Sequence, residues 1–321
     1  MLQHGGNLDL ALELFGGQPD DWIDLSTGIN RQPYPIPTLS PLHWRALPSR
    51  SETFSLHEAA RQAYGTRASI IALAGAQAAI QLLPRLSPPG QARIIAPSYN
   101  EYASVLRTAG WQVAEVADLE SLAGADLAVV VNPNNPDGRC HAPDQLLARL
   151  SGVGRLVVDE SFVDAAPGLS LAAEAGRSGL LILRSFGKFY GLAGLRLGFA
   201  LGHAADIDAL AAQAGPWPVS GAAIATGRRA LLDRDWAIRT TARLADDGRW
   251  LDALARSQGW TLVGGTALFR LYDTPDARAA QARLATAHIW SRIFSERPGW
   301  LRLGLPGDAT EWQRLAAALA P

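Results

Sequence analysis

Seven short apolar runs recur between Ala68 and Leu201, at residues 70–73, 93–96, 113–116, 127–131, 156–158, 180–183 and 197–201. Several of them do not alternate with polar positions. Unalternated runs separated by helical segments predict an α/β fold with a mainly parallel sheet of seven strands, covered by helices on both faces. Residues 76–86 and 102–109 carry helical spacing, as do residues 143–150, which open on a proline suited to a first helical turn. After Pro216-Trp217-Pro218 the texture changes to longer helical segments at 222–232 and 235–258, followed by strand-like stretches at 261–263 and 267–271. The first forty or so residues are rich in loops, with Pro33, Pro35, Pro37 and Pro41 close together. The division expected is therefore an N-terminal arm with part of a small domain over residues 1–45, a large domain over 46–215 and a small α+β domain over 216–321.

Composition narrows the chemistry. A chain of 321 residues can bury a large core and a smaller one. Lys+Arg (29) and Asp+Glu (30) nearly cancel, which argues against nucleic acid as a partner and leaves any anion to a few placed arginines or backbone N–H groups. Cys140 is the only cysteine, so no disulfide framework or multi-cysteine metal site is available, and a reducing cytoplasm is expected. Neither a signal peptide nor an apolar stretch of bilayer-spanning length is evident, so no membrane partner is expected.

Four segments carry candidate chemistry, each following an apolar run. The glycine-dense stretch Ser185-Phe186-Gly187-Lys188-Phe189-Tyr190-Gly191-Leu192-Ala193-Gly194-Leu195-Arg196 places an amine between a hydroxyl and a guanidinium, a set able to meet a phosphate-bearing aldehyde. A lone lysine here would be a surface residue on a turn; the other segments change that. Asp159 ends a strand where open α/β sheets present ligand-binding groups, although on its own it serves equally well as a helix N-cap. Asn132-Pro133-Asn134-Asn135-Pro136 ends another strand in a turn that offers Asn135 at the same sheet edge. Gly75, Ala76 and Gln77 precede a helix whose N–H groups can face a phosphate, and Tyr99 offers an aromatic face.

As an ordered set, Gly75-Ala76, Tyr99, Asn135-Pro136, Asp159-Glu160, Lys188 and Arg196 resemble fold-type I pyridoxal 5′-phosphate (PLP) enzymes of the aspartate aminotransferase superfamily, closest in pattern to the histidinol-phosphate aminotransferase group. Within that group His4-Gly5-Gly6-Asn7, Trp217-Pro218-Val219-Ser220-Gly221 and the segment 297–307 around Arg302 are similar to threonine-phosphate decarboxylases of cobalamin biosynthesis. The resemblance implies PLP held as a Schiff base on Lys188, with Asp159 on the ring nitrogen, Asn135 on the ring hydroxyl and Tyr99 stacked on the ring. Gly75, Ala76, Ser185 and Arg196 would take the cofactor phosphate, with Gln77 beside them. Arg302 would take the substrate carboxylate, Asn135 and Gly5 would line the substrate, and His4 and Arg292 are candidates for its phosphate.

The implied reaction is decarboxylation of L-threonine O-3-phosphate to (R)-1-aminopropan-2-yl phosphate, in a cytoplasmic homodimer. The rivals are a histidinol-phosphate or related phospho-amino-acid aminotransferase and an inactive binding module of the same fold. Two positions depart from the pattern of many relatives: Phe162 replaces a tyrosine three residues after Asp159, and Leu47 replaces one before Pro48. Each change removes a hydrogen bond to the cofactor.

Overall fold

A computed structural model describes residues 5–320 of the chain. All seven expected strands form one sheet: β1 (Ser69–Leu73), β2 (Gln91–Ile95), β3 (Gln112–Val116), β4 (Leu127–Val131), β5 (Leu156–Asp159), β6 (Leu180–Ser185) and β7 (Gly198–Gly202). Their spatial order is β1-β7-β6-β5-β4-β2-β3. Every pairing is parallel except those of β7, which runs against both β1 and β6. The five residues of β4 are all buried, which explains why its sequence does not alternate. Because the other six strands share one direction, the loops leaving their C-terminal ends gather on one side of the sheet.

The chain forms two compact units, but their limits differ from the expected 45 and 215. The large unit is Tyr34–Asn135 with Cys140–Ala237, and the small unit is Met1–Pro33, Pro136–Arg139 and Ile238–Pro321. Residues 216–237 join the large unit because the helix Gly221–Leu232 packs on the helix Arg50–Tyr64. A methyl group at Gly227 would come within 2.4 Å of Leu197 and 3.3 Å of Leu56, so glycine is what lets this helix approach so closely. The helix Arg50–Tyr64 was not anticipated, although its signal was present: Ser49 accepts from the Glu52 N–H and Glu52 accepts from the Ser49 N–H, a reciprocal cap. Similarly, Pro136–Arg139 belongs to the small unit because Gly138 lies flat against the backbone of Gly265, where a Cβ would sit 2.3 Å from the Gly265 nitrogen.

The small unit contains an antiparallel sheet of β8 (Thr261–Thr266), β9 (Phe269–Asp273), β10 (Arg292–Phe294) and β11 (Arg297–Gly304), ordered β10-β11-β9-β8. Ile23–Asp24 pairs in parallel with Ile289–Trp290, which ties the N-terminal segment into this unit.

Behind the sheet's C-terminal edge lies a buried charge network within the large unit. The Arg184 guanidinium donates to Glu160 at 3.1 Å and to Asp164 at 2.5 Å and lies 4.0 Å from the centre of the Tyr64 ring. Glu160, fully buried, also accepts from the Ser170 hydroxyl and the Leu171 N–H, each at 2.6 Å. Burial pushes the Glu160 carboxyl upward, opposed by Arg184 and these donors. Removing one partner of such a network leaves uncompensated buried charge, at a cost of about 3–5 kcal/mol. Arg184→Met is accordingly expected to lower the urea midpoint of the apoprotein by that equivalent; an unchanged midpoint would show that the network does not hold these strands.

Candidate active site

The lysine loop joins the two antiparallel neighbours β6 and β7. Ser185 and Gly198 are register partners, so the loop leaves and re-enters the sheet at one point. Between them Phe186–Phe189 forms a single helical turn whose Gly187 packs on Ala193, with a hypothetical Cβ 2.7 Å from the Ala193 Cα. Phe186 stacks on Tyr190 at 4.4 Å, and Tyr190 stacks on Trp236 at 5.4 Å. These stacked rings fix the turn, while Lys188 lines a cavity of about 170 Å³ with Gly75, Ala76, Gln77, Tyr99 and Asn135. Its Nζ is 5.7 Å from the centre of the buried Phe162 ring.

Asp159 ends β5 on the cavity wall and is almost fully buried. Its Oδ1 accepts from the Ser161 N–H at 2.9 Å and its Oδ2 from the Tyr102 hydroxyl at 2.8 Å. Burial raises the Asp159 pKa, opposed by the bonds from Ser161 and Tyr102 and by the positive charge of Lys188. A buried carboxylate of this kind is completed by a cationic N–H, which a protonated pyridine ring supplies.

At the other end of the cavity the backbone makes a cradle. Gly75 has φ +79° and caps the helix Ala76–Leu82, while Arg196 adopts the left-handed region at φ 54°. A Cβ on Gly75 would fall 2.8 Å from Arg196 Nη2, and one on Gly198 would fall 2.4 Å from the Ala76 nitrogen. Only glycines allow Gly75-Ala76, Ser185 and Arg196 to converge here, and together they offer hydroxyl, guanidinium and backbone donors suited to a phosphate. Tyr99 donates to Gln77 at 3.1 Å, and Gln77 donates to Glu101 at 2.9 Å, so the Tyr99 ring is held by a chain of polar contacts.

In the small unit Arg302 is buried, donates to the Ser26 carbonyl at 2.6 Å and lies 5.0 Å from the centre of the Phe269 ring. Gly5 packs on the same carbonyl, with a hypothetical Cβ 2.3 Å away. Arg292 and Arg302 are register partners on β10 and β11. Burial and then the neighbouring Arg292 charge push the Arg302 pKa down to about 9, with Asp24 opposing. His4 lies outside the described residues.

The family model for aminotransferase class I and II matches residues 47–319. The chain belongs to this family. A threonine-phosphate decarboxylase from a Sinorhizobium species is 44% identical over 99% of this chain and 97% of that protein. Another from Pseudomonas aeruginosa is 44% identical over the same 99% and 97%. Among solved structures, histidinol-phosphate aminotransferase from Sinorhizobium meliloti in complex with pyridoxal 5′-phosphate matches with a TM-score of 0.86 and 22% identity, over 97% of this chain and 93% of that one, a likeness of fold.

Against this family background, the large unit brings together Gly75, Ala76, Gln77, Tyr99, Asn135, Asp159, Ser185, Lys188 and Arg196 on one cavity. Arg292, Arg302 and Gly5 cluster separately within the small unit. Sequence reasoning missed Tyr102 and Ser161, whose bonds to Asp159 had no motif to announce them. It also missed a plain signal: Lys188 is the only lysine in the chain, the other 28 of the 29 Lys+Arg residues being arginines. An amine can form an imine with an aldehyde, which a guanidinium cannot, so a single lysine among arginines is a signal for that chemistry.

The arginine pair makes a binding prediction. Arg302 is a guanidinium cation at neutral pH, and its burial opposite Arg292 sets two like charges side by side that a bound anion would offset. Sulfate binding, read by calorimetry at neutral pH, should be weakened about tenfold by Arg302→Gln. An unchanged affinity would contradict the arrangement.

Proposed function

We propose that this chain is a PLP-dependent decarboxylase that converts L-threonine O-3-phosphate to (R)-1-aminopropan-2-yl phosphate and CO₂, supplying the aminopropanol linker of cobalamin. The observation that carries the reading is the near full-length 44% identity to two threonine-phosphate decarboxylases. The donor set fits the cofactor: one amine, one buried carboxylate, one aromatic face and one phosphate cradle, all on a single cavity. When bound, PLP supplies an electron sink for the pair of electrons left at the substrate α-carbon.

The remaining work falls to the protein. Lys188 would hold the cofactor covalently, and its amine is the group that would deliver a proton to the substrate α-carbon. Asp159 keeps the ring nitrogen protonated, Asn135 bonds the ring hydroxyl and Tyr99 packs against the ring. Gly75, Ala76, Ser185 and Arg196 hold the cofactor phosphate. Threonine phosphate carries a carboxylate and a phosphate at once, and one guanidinium can grip only one of them bidentately. Arg302 takes the carboxylate and Arg292, with His4, the phosphate, and a bound anion relieves the repulsion between the two arginines. The orientation in which Arg302 would hold the substrate carboxylate would decide between loss of CO₂ and loss of the α-proton.

With threonine phosphate as sole substrate, CO₂ and aminopropanol phosphate should form without a keto acid. Arg292→Ala should lower kcat/KM by about 10- to 100-fold, the loss of a charge-assisted contact. Lys188→Ala should abolish turnover and the borohydride-fixed cofactor alike. Transamination of histidinol phosphate that depends on 2-oxoglutarate, with no CO₂ from threonine phosphate, would replace this reading with the aminotransferase one.

The enzyme is proposed to act as a cytoplasmic homodimer. Among the described residues no helix is long and apolar enough to cross a membrane. Ile36 and Trp44 are each 72% exposed and Leu47 is 66% exposed, with Leu42 and Phe54 also exposed along the same stretch of the large unit. Apolar exposure on this scale marks a surface covered by another chain. Sedimentation should give a dimer that Trp44→Glu with Leu47→Glu converts to monomer; a wild-type monomer at assay concentration would refute it.

A further inference from the structure

Tyr102 reaches Asp159 from a separate element. It sits in the first turn of the helix Glu101–Thr108, is fully buried, and its hydroxyl lies 2.8 Å from Asp159 Oδ2. Its ring is fixed edge-on to Tyr99 at 6.4 Å. Helix and strand thus meet through one hydrogen bond at the carboxylate that faces the cavity. Burial and the Asp159 charge hold the Tyr102 hydroxyl well above its ordinary pKa, so it stays protonated and donates.

We propose that Tyr102 is a positioning residue for the cofactor's ring nitrogen, acting through Asp159: its hydroxyl occupies one carboxylate oxygen, keeps the group ionised in a dry site and fixes which lone pair is left for the ring N–H. The Ser161 N–H binds the other oxygen at 2.9 Å, so the two donors together set the carboxylate plane. Without Tyr102, burial is opposed by the Ser161 bonds and the Lys188 charge but not by this hydroxyl, and the balance shifts toward the neutral acid. A neutral Asp159 no longer stabilises a protonated ring, and the ring nitrogen loses its proton and its pull on electrons. The inference rests on Asp159 as the partner of the ring nitrogen and is independent of which substrate the enzyme uses.

The test compares PLP with its 1-deaza analogue, in which a ring C–H replaces the nitrogen, by equilibrium titration of apoprotein followed through tryptophan fluorescence. Tyr102→Phe removes the hydroxyl and keeps the ring. It should weaken PLP about tenfold, the worth of one charge-assisted hydrogen bond, and leave the deaza analogue within about twofold. An equal loss for both ligands would show a merely structural role, and no loss for either would show none; each overturns the proposal. Asp159→Asn is run beside it: if that variant also fails to discriminate the two ligands, the assignment of Asp159 is at fault as well. Should Tyr102→Phe not fold, 3-fluorotyrosine at position 102, a stronger donor, should raise the preference for PLP, and an unchanged preference would overturn the proposal.

Discussion

The buried guanidinium of Arg184 is the interaction on which the site's floor depends. It joins the end of β6 to the loop after β5 through Glu160 and Asp164, and it rests on Tyr64 from the helix Arg50–Tyr64. Three segments distant in sequence are thereby held by charges that cannot be left unpaired in a dry interior. Consecutive residues on a strand face opposite ways, so Asp159 lines the cavity while Glu160 turns into this network. The same is true one strand along, where Arg184 enters the network and Ser185 lines the cavity. The chemistry on one face is held in place by the ion pairs on the other.

A second constraint is the close approach of backbones at the sheet's C-terminal edge. The reversed strand β7 lets the lysine loop close within a few residues, with Ser185 and Gly198 side by side. That closure brings Gly75, Gly187 and Gly198 against neighbouring atoms at separations that leave no room for a Cβ. The cradle of donors is thus a consequence of strand order: the hydroxyl and the guanidinium come from the lysine loop and the backbone N–H groups from the loop after β1, two loops that this topology sets beside one another. The aromatic stack of Phe186, Tyr190 and Trp236 then fixes the lysine turn from behind.

Much of this was written in local patterns. The buried strands betrayed themselves by lacking alternation, and Asp159, Asn135 and Lys188 were legible because each follows such a strand in a short, distinctive segment. Spacing alone suggested the elements; the ordered set of motifs gave the family. The helix Arg50–Tyr64 carries its signal in Ser49 and Glu52, beside a proline-rich, loop-like stretch that masks it.

What tertiary structure decided concerns contacts between segments that have no fixed spacing. The limits of the two units moved because Gly227 and Gly138 permit helix and backbone approaches that no periodicity records. Tyr102 reads in sequence as an ordinary core aromatic, and only the placing of its helix against β5 turns the hydroxyl onto Asp159. Arg292 and Arg302 are ten residues apart in the chain, yet strand pairing sets them opposite one another, where burial and mutual repulsion lower the charge stability of Arg302. The sequence by itself determined which groups were available and on which strands they ride. Charge, burial and hydrogen-bond partners depend on distances between strands and helices, and those distances exist only once the chain has folded.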